Sequence, residues 1–344
     1  MRSSIIIPTA SRPESIKAAI QSLLAVSPER LGAEILIVDN NAEERPAKDL
    51  QEYCAGLNGQ VRYVREPSPG LSAARHRGVD ESSGEILTFI DDDVEVSPGW
   101  LEAIQRAFDD PDLGIAGGPS IPRFTHSIPA WFWGFFADTP YGGWMCSWLS
   151  LLDIGSNVKG IDPSFIWGLN FSIRRPVLER CGGFHPDLVP SHLQRWQGDG
   201  ETGLAIKAEA AGVRADFVHE ARLAHLCGPD RLNPQYFAKR AFYQGVCASF
   251  TRVRAGEAPE PGSTPSTNRS ILQRGRETAQ WTLRRLQRRA SSWGREAAAV
   301  GDAMETAHLA AWRFHQGEAA VDSKLLAWVR RPDFRHADIR KELG

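Results

Sequence analysis

The sequence predicts an α/β fold, a mixed sheet flanked by helices, with a helical extension behind it. Over the first third of the chain, short runs rich in β-branched residues alternate with stretches whose apolar residues recur at helical spacing. That is the pattern of parallel strands covered by helices. A second observation divides the chain. Residues 255–268 are dominated by Gly, Pro, Ser, Thr and Glu, a linker composition, and the remainder of the chain reads as helix. The expected organisation is residues 1–254, with halves at 1–118 and 119–254, then the linker 255–268 and a helical region 269–344.

Strands are expected at 4–7, 34–38, 61–64, 85–90 and 113–116. The helix behind the first strand is the best signalled. Ser11-Arg12-Pro13-Glu14 reads as a capping box with proline in the first turn, and Ile16, Ile20, Leu23 and Leu24 form one stripe. Further helices are expected at 46–57, from 71 to just before Gly84, and after Ser97-Pro98, where Leu101, Ile104 and Phe108 recur. Beyond residue 120 we expect a strand pair around 165–173 and a short helix over 176–181 that ends at Gly182-Gly183. A helix over 201–211 has Leu204, Ile206 and Ala208 inside and Gly212 as its stop. A strand near 213–218 and a helix over 234–254 complete this half.

Composition bounds the function. With 344 residues, 42% hydrophobic and 24% charged, the chain is an ordinary globular sequence long enough for about two domains. A net charge of −2 gives no reason to expect a nucleic-acid partner. Cys54, Cys146, Cys181, Cys227 and Cys247 are scattered without metal-ligand spacing, which points to inert thiols in a reducing, cytoplasmic setting. The apolar run at the start is too short for a signal peptide. The nearest approach to a spanning segment, residues 128–152, is broken by Pro129, Asp138, Pro140 and Gly142-Gly143, yet it holds four of the eleven tryptophans: Trp131, Trp133, Trp144 and Trp148.

In sheets of this kind ligands bind beyond the carboxyl ends of the strands. The residues there are Pro8-Thr9-Ala10-Ser11-Arg12, Asp39-Asn40-Asn41 and Asp91-Asp92-Asp93. Three adjacent carboxylates repel one another, so a divalent cation is the natural partner of the last group; a solvated turn is the plain alternative. In an extended chain Asp91 and Asp93 point one way and Asp92 the other.

An ordered set of segments resembles the family 2 glycosyltransferases, whose fold is GT-A, a Rossmann-like nucleotide-diphospho-sugar transferase architecture. It comprises Ile5-Ile6-Ile7-Pro8-Thr9, Ile37-Val38-Asp39-Asn40, Gly70-Leu71-Ser72-Ala73-Ala74-Arg75 and the run Gly84 through Asp93. Gly168-Leu169-Asn170-Phe171, Gly182-Gly183-Phe184 and Gly198-Asp199-Gly200-Glu201 come after them in order. The resemblance spans about residues 3–254 and implies an inverting enzyme that moves a sugar from a UDP- or GDP-type donor to a carbohydrate or lipid-linked acceptor. It makes 1–118 the nucleotide-binding half and 119–254 the acceptor half.

The resemblance also implies roles. Pro8, Thr9, Arg12 and Asp39 would line the nucleotide pocket, and Arg75 suits the diphosphate because a guanidinium pairs bidentately with phosphate. Asp91 and Asp92 join the donor-binding set. Asp93, with Asp91 and His225, would hold Mn²⁺ or Mg²⁺; His219 competes with His225. Arg231, Arg240 and Tyr243 resemble the family's closing segment, with Arg240 the donor contact. Trp167, Gly168, Asn170 and Trp196 would face the sugar and acceptor. Glu201 stands at the position of the catalytic base, with Asp199 as the alternative and better suited to capping. Two departures, Thr9-Ala10-Ser11-Arg12 where relatives have Thr-Tyr-Asn-Arg and His76 where asparagine is usual, leave nucleotide identity open.

The aromatic segment 128–152 is expected either to contact an amphipathic acceptor at a membrane surface or to form a buried flap. A stripe of Leu272, Ala279, Leu283, Leu286, Ala290, Trp293 and Val300 beside Arg284, Arg285, Arg288 and Arg289 reads as a basic amphipathic helix. It would lie on the inner membrane face or pack on its own domain. A metal-dependent nucleotidyltransferase and a non-catalytic sugar-nucleotide-binding subunit are the competing functions.

Overall fold

The computed structural model describes residues 2–10, 12–264 and 292–342. In chain order its first half contains β1 Ser3–Thr9, α1 Pro13–Ala25, β2 Ala33–Asp39, α2 Glu44–Ala55, β3 Arg62–Arg65, α3 Leu71–Glu81 and β4 Ile86–Ile90. β5 Val94–Val96, α4 Trp100–Ala107, β6 Leu113–Gly117 and β7 Ser120–Phe124 come next. Then come β8 Ala137–Asp138, β9 Trp144–Cys146, β10 Leu151–Asp153, β11 Val158–Lys159, β12 Asn170–Arg174 and α5 Arg175–Arg180. The remainder is α6 Gly200–Ala210, β13 Arg214–Phe217, β14 Leu223–Cys227, α7 Pro234–Arg254, α8 Ser292–Val321 and α9 Ser323–Val329.

The main sheet has the order β11-β13-β6-β12-β4-β1-β2-β3. β4, β1, β2 and β3 are parallel neighbours, while β12 inserts antiparallel between β4 and β6. Continuous apolar runs make β1, β2 and β4 because both of their faces are covered. Every residue of β1 is buried, and the alternation sends Ile5 and Ile7 into one core and Ile6 into the other. The first core receives Ile16, Ile20 and Leu23 of α1 with Trp100 and Ile104 of α4; the second receives Val79, Leu178 and Leu204.

A second sheet, β5-β14-β7-β10-β9-β8, caps the rim beyond β4. Its strands span only two to five residues, and β5, β7 and β14 pair across long sequence separations, so no local pattern announced them. Two other expectations are corrected. The strand pair around 165–173 is one strand, β12, preceded by a 3₁₀ turn at Pro163–Phe165, because Asp162 caps it by accepting from Ser164 N (2.8 Å). Ile206, expected inside, is exposed: Leu204, Ala205 and Ala208 share the buried face of α6, and Ile206 lies about 200° from Leu204 around the helix.

The C-terminal helices share cores with the first 254 residues. Ala297, Val300 and Met304 of α8 pack with Trp131, Phe132 and Phe237. Trp328 and Phe334 pack with Trp196 and Phe250. Gly245 lets α7 and α8 touch backbone to backbone, since a β-carbon there would sit 2.2 Å from the His308 carbonyl oxygen. The capping serine Ser11 and the expected basic stripe from Leu272 to Ala290 lie outside the described residues; α1 opens with Arg12 at its N-cap and Pro13 in its first turn. No described helix is long and apolar enough to cross a membrane.

Candidate active site

The carboxyl ends of β1, β2 and β4 lie side by side, with Thr9 opposite Asp39 and the triplet Asp91-Asp92-Asp93 leaving β4 next to β1. A cleft opens there between the two sheets, lined by Pro8, Thr9, Arg12, Asn40, Asp91, Asp92, Leu149, Leu188, His225, Arg231, Tyr236 and Arg240. Alternation along the chain splits the triplet. Asp92 turns to β1, where its carboxylate accepts from Thr9 Oγ1 (2.6 Å) and Arg12 Nη1 (3.0 Å). Lost hydration, then the charge of Asp93, pushes its carboxyl up to about 6. Asp93 meets Arg12 and Arg231 through one oxygen. Its other oxygen is buried without a hydrogen-bond partner, 3.4 Å from His225 Nε2.

His225 Nδ1 lies 2.8 Å from the Leu149 carbonyl oxygen. A carbonyl only accepts, so Nδ1 carries the proton and Nε2 presents its lone pair to Arg231 Nη1 at 2.7 Å. The unpartnered Asp93 oxygen fits a divalent cation such as Mn²⁺ or Mg²⁺, which would take the His225 Nε2 lone pair in place of Arg231. No group of three or more acidic, histidine or cysteine side chains forms a full cage among the described residues. Substrate oxygens and water would complete the shell, as is usual for such ions at phosphate sites. His219 sits elsewhere, 3.4 Å from Asp153.

Arg75 joins the two acidic regions. It is buried, its Cζ stacks 4.8 Å from the Phe184 ring centroid, Nη2 lies 3.7 Å from Asp91, and Nη1 lies 3.4 Å from Glu201. Gly168 makes room for it, and Gly168 N donates to Glu201 Oε1 (3.4 Å). Glu201 belongs to the first turn of α6 and is partly exposed. Asp199, two residues earlier, faces inward. One oxygen lies 2.5 Å from His185 Nδ1 and the other accepts from Thr251 Oγ1 (2.6 Å). Gly203 is required beneath this pair, because a β-carbon would sit 2.0 Å from His185 Nδ1.

Several expected contacts face away from the cleft. Asp39 is fully buried, its carboxylate accepting from Tyr63 Oη (2.6 Å), Asn41 and Arg65. Asn40 lines the cleft in its place. Asn170 is a scaffold pin: its Oδ1 accepts from Trp100 Nε1 (3.1 Å) and its Nδ2 donates to the Ala221 carbonyl (2.8 Å). Trp196 packs perpendicular to Trp328, and Trp167 donates to the Ser164 carbonyl (3.0 Å). The structure adds Tyr236, Leu149 and Leu188, none of which any spacing in the sequence marks; Arg231 enters beside Arg240, whereas Tyr243 pairs with Lys239 instead.

The family model "Glycosyl transferase family 2" matches residues 4–182. Among curated proteins, the chain is 26% identical over 252 residues to "Glucosyl-dolichyl phosphate glucuronosyltransferase" of Haloferax volcanii, covering 71% of this chain and 75% of that protein. It is 23% identical to "Glycosyltransferase AglE" of the same organism, covering 66% and 67%. Among solved structures, "Mannosyltransferase PcManGT from Pyrobaculum calidifontis in complex with GDP-Man and Mn2+" aligns with 99% of this chain and 87% of its own. The TM-score is 0.52 at 16% identity, a likeness of fold. A sheet rim of this form, with the motifs in register and the family match across half of the chain, makes this protein a member of glycosyl transferase family 2, a glycosyltransferase of the GT-A fold.

Proposed function

We propose that the protein transfers a sugar, with inversion, from a nucleotide-diphosphate sugar to an acceptor hydroxyl, with Glu201 as the base. One observation carries the assignment. Of the two carboxylates in the Gly198–Glu201 loop, only Glu201 is uncommitted to the core, and it faces Asp91 across Arg75. The nucleotide lies at the ends of β1 and β2, between Pro8, Thr9 and Asn40, and its diphosphate meets Arg12, Arg231 and Arg240, the guanidinium groups on the cleft wall. A divalent metal held by Asp93 and His225, with Asp91 nearby, supplies Lewis-acid neutralisation of the departing diphosphate when bound. The acceptor oxygen gives its proton to Glu201 as it bonds to the anomeric carbon, and the carbon–phosphate-oxygen bond breaks to release nucleoside diphosphate.

The acceptor we propose is a carbohydrate or lipid-linked glycan, met at the inner face of a membrane. The aromatic segment supports this reading: Trp133 is 52% exposed, while Leu149 and Ser150 of the same segment line the cleft. The name of the Haloferax volcanii relative, which includes a dolichyl phosphate, points the same way.

Glu201→Gln is the test, read as release of nucleoside diphosphate from a panel of nucleotide sugars with Mn²⁺. Loss of a positioned base costs roughly 10²- to 10⁴-fold in turnover. Thermal shift by the nucleoside diphosphate is retained. Wild-type turnover in the variant, or pyrophosphate as the product, would sink the assignment.

A further inference from the structure

The chain beyond α9 lies outside the residues that the family model matches, yet it runs directly behind the site. Its Arg331 and Pro332 carbonyls accept from Arg254 of α7 (2.5 Å) and Lys207 of α6 (2.8 Å). Phe334 N donates to the Gly182 carbonyl (2.9 Å), and the Phe334 ring packs 4.9 Å from His185, the partner of Asp199. Arg335 is only 4% exposed. Its Nη2 meets Asp80 of α3 (2.6 Å), its Nε meets Glu179 of α5 (3.1 Å), and its Nη1 donates to the His76 carbonyl (3.4 Å). Asp80 and Glu179 are 48% and 42% exposed, so these ion pairs are screened and stabilise little. A buried fork with donors in three directions fixes geometry: it ties α3 to α5.

The consequence reaches Arg75, the residue before His76. His76 Nε2 accepts from Phe184 N (2.9 Å), so the imidazole is neutral with its proton on Nδ1. In agreement, burial and then the charge of Arg335 hold His76 well below the usual histidine range. The Phe184 ring is the surface on which Arg75 stacks, 4.8 Å from its centroid. Gly183, at φ +73°, lets the three meet: a β-carbon there would sit 2.5 Å from His76 Nε2 and 3.1 Å from Arg335 Cα. Arg335 thus touches the helix that carries Arg75 and, across Gly183, the backbone that presents the ring beneath it. We propose that Arg335 is a positioning residue for the base, acting through Arg75 on Glu201. This rests on the glycosyl-transfer reading. The chain beyond α9 is then a working part of the site.

The test measures kcat and donor KM by nucleoside diphosphate release, with Mn²⁺, for full-length wild type, Arg335→Ala, Arg75→Ala and the double variant. Misplacing a reacting group by about 1 Å costs up to about 10²-fold, so Arg335→Ala is expected to lower kcat roughly 10- to 100-fold. Donor KM stays within about twofold, because Arg12, Arg231 and Arg240 face the diphosphate. The double variant is no slower than Arg75→Ala. Wild-type kcat in Arg335→Ala, additive losses, or a rise in KM that accounts for the loss would each overturn the proposal. If Arg335→Ala does not fold, Arg335→Gln, which keeps the stem and an amide donor, decides in its place. A second readout needs no turnover. Arg75 Nε is buried without a hydrogen-bond partner, and its N–H signal in ¹⁵N NMR is identified by its loss in Arg75→Lys. In the Arg335 variants that signal shifts and exchanges faster with water; an unmoved signal also overturns the proposal. A moved signal with no transfer from any donor would count against the proposed function alone.

Discussion

Gly168→Ala probes the link between the two acidic regions. The added β-carbon would sit 2.4 Å from Arg75 Nη2 and 3.1 Å from Cζ and Nη1. Gly168 lies outside the left-handed region, so alanine fits the backbone and the whole effect falls on Arg75. That side chain is 2% exposed, with the Phe184 ring beneath it and Asp91 and Glu201 on either side. It yields only by leaving its ion pairs. Overpacking of this kind costs about 1–3 kcal/mol. Expressed in the transition state, that is roughly a 5- to 150-fold loss of turnover. Nucleoside diphosphate release and thermal unfolding are measured for Gly168→Ala, Arg75→Ala and the double variant. If the glycine acts through Arg75, the double variant is no slower than Arg75→Ala. Additive losses, or a Gly168→Ala enzyme with wild-type rate and Tm, would refute the reasoning.

Two further outcomes concern stability. Gly245→Ala drives a β-carbon into the His308 carbonyl oxygen (2.2 Å) and Ala311 Cβ (2.9 Å), and separates α7 from α8. Urea unfolding is expected to show a net loss of about 1–2 kcal/mol despite alanine's higher helix propensity; a gain would mean the helices do not touch there. His315 is fully buried, its Nδ1 2.7 Å from Ser249 Oγ, and burial depresses it to about 4. The folded protein therefore binds this proton less tightly than the unfolded chain. Its contribution is intact above about pH 6.5 and is lost as pH falls toward 4, by up to about 3 kcal/mol. Thermal melts of His315→Gln should fall less steeply than wild type across that window; parallel curves would remove His315 from the acid response.

Local pattern determined much of this protein. The isoleucine-rich runs became β1, β2 and β4 because continuous apolar sequence suits strands covered on both faces, and Asn233-Pro234 set the start of α7 through the asparagine cap. The rim of polar strand ends was legible for the same reason: its place is set by where the apolar runs stop. Only the tertiary structure decided which acidic side chains face the cleft. Asp199 and Glu201 are two residues apart and chemically alike; His185 and Thr251, distant in sequence, turn one inward, while the other meets Arg75 and Gly168 N. Tyr63 and Arg65 likewise claim Asp39, and backbone pairing at 185–187 brings Asp187 beside Gly200. Periodicity reports the environment of a face, whereas a side chain's hydrogen-bond partner is a long-range choice that no local spacing encodes.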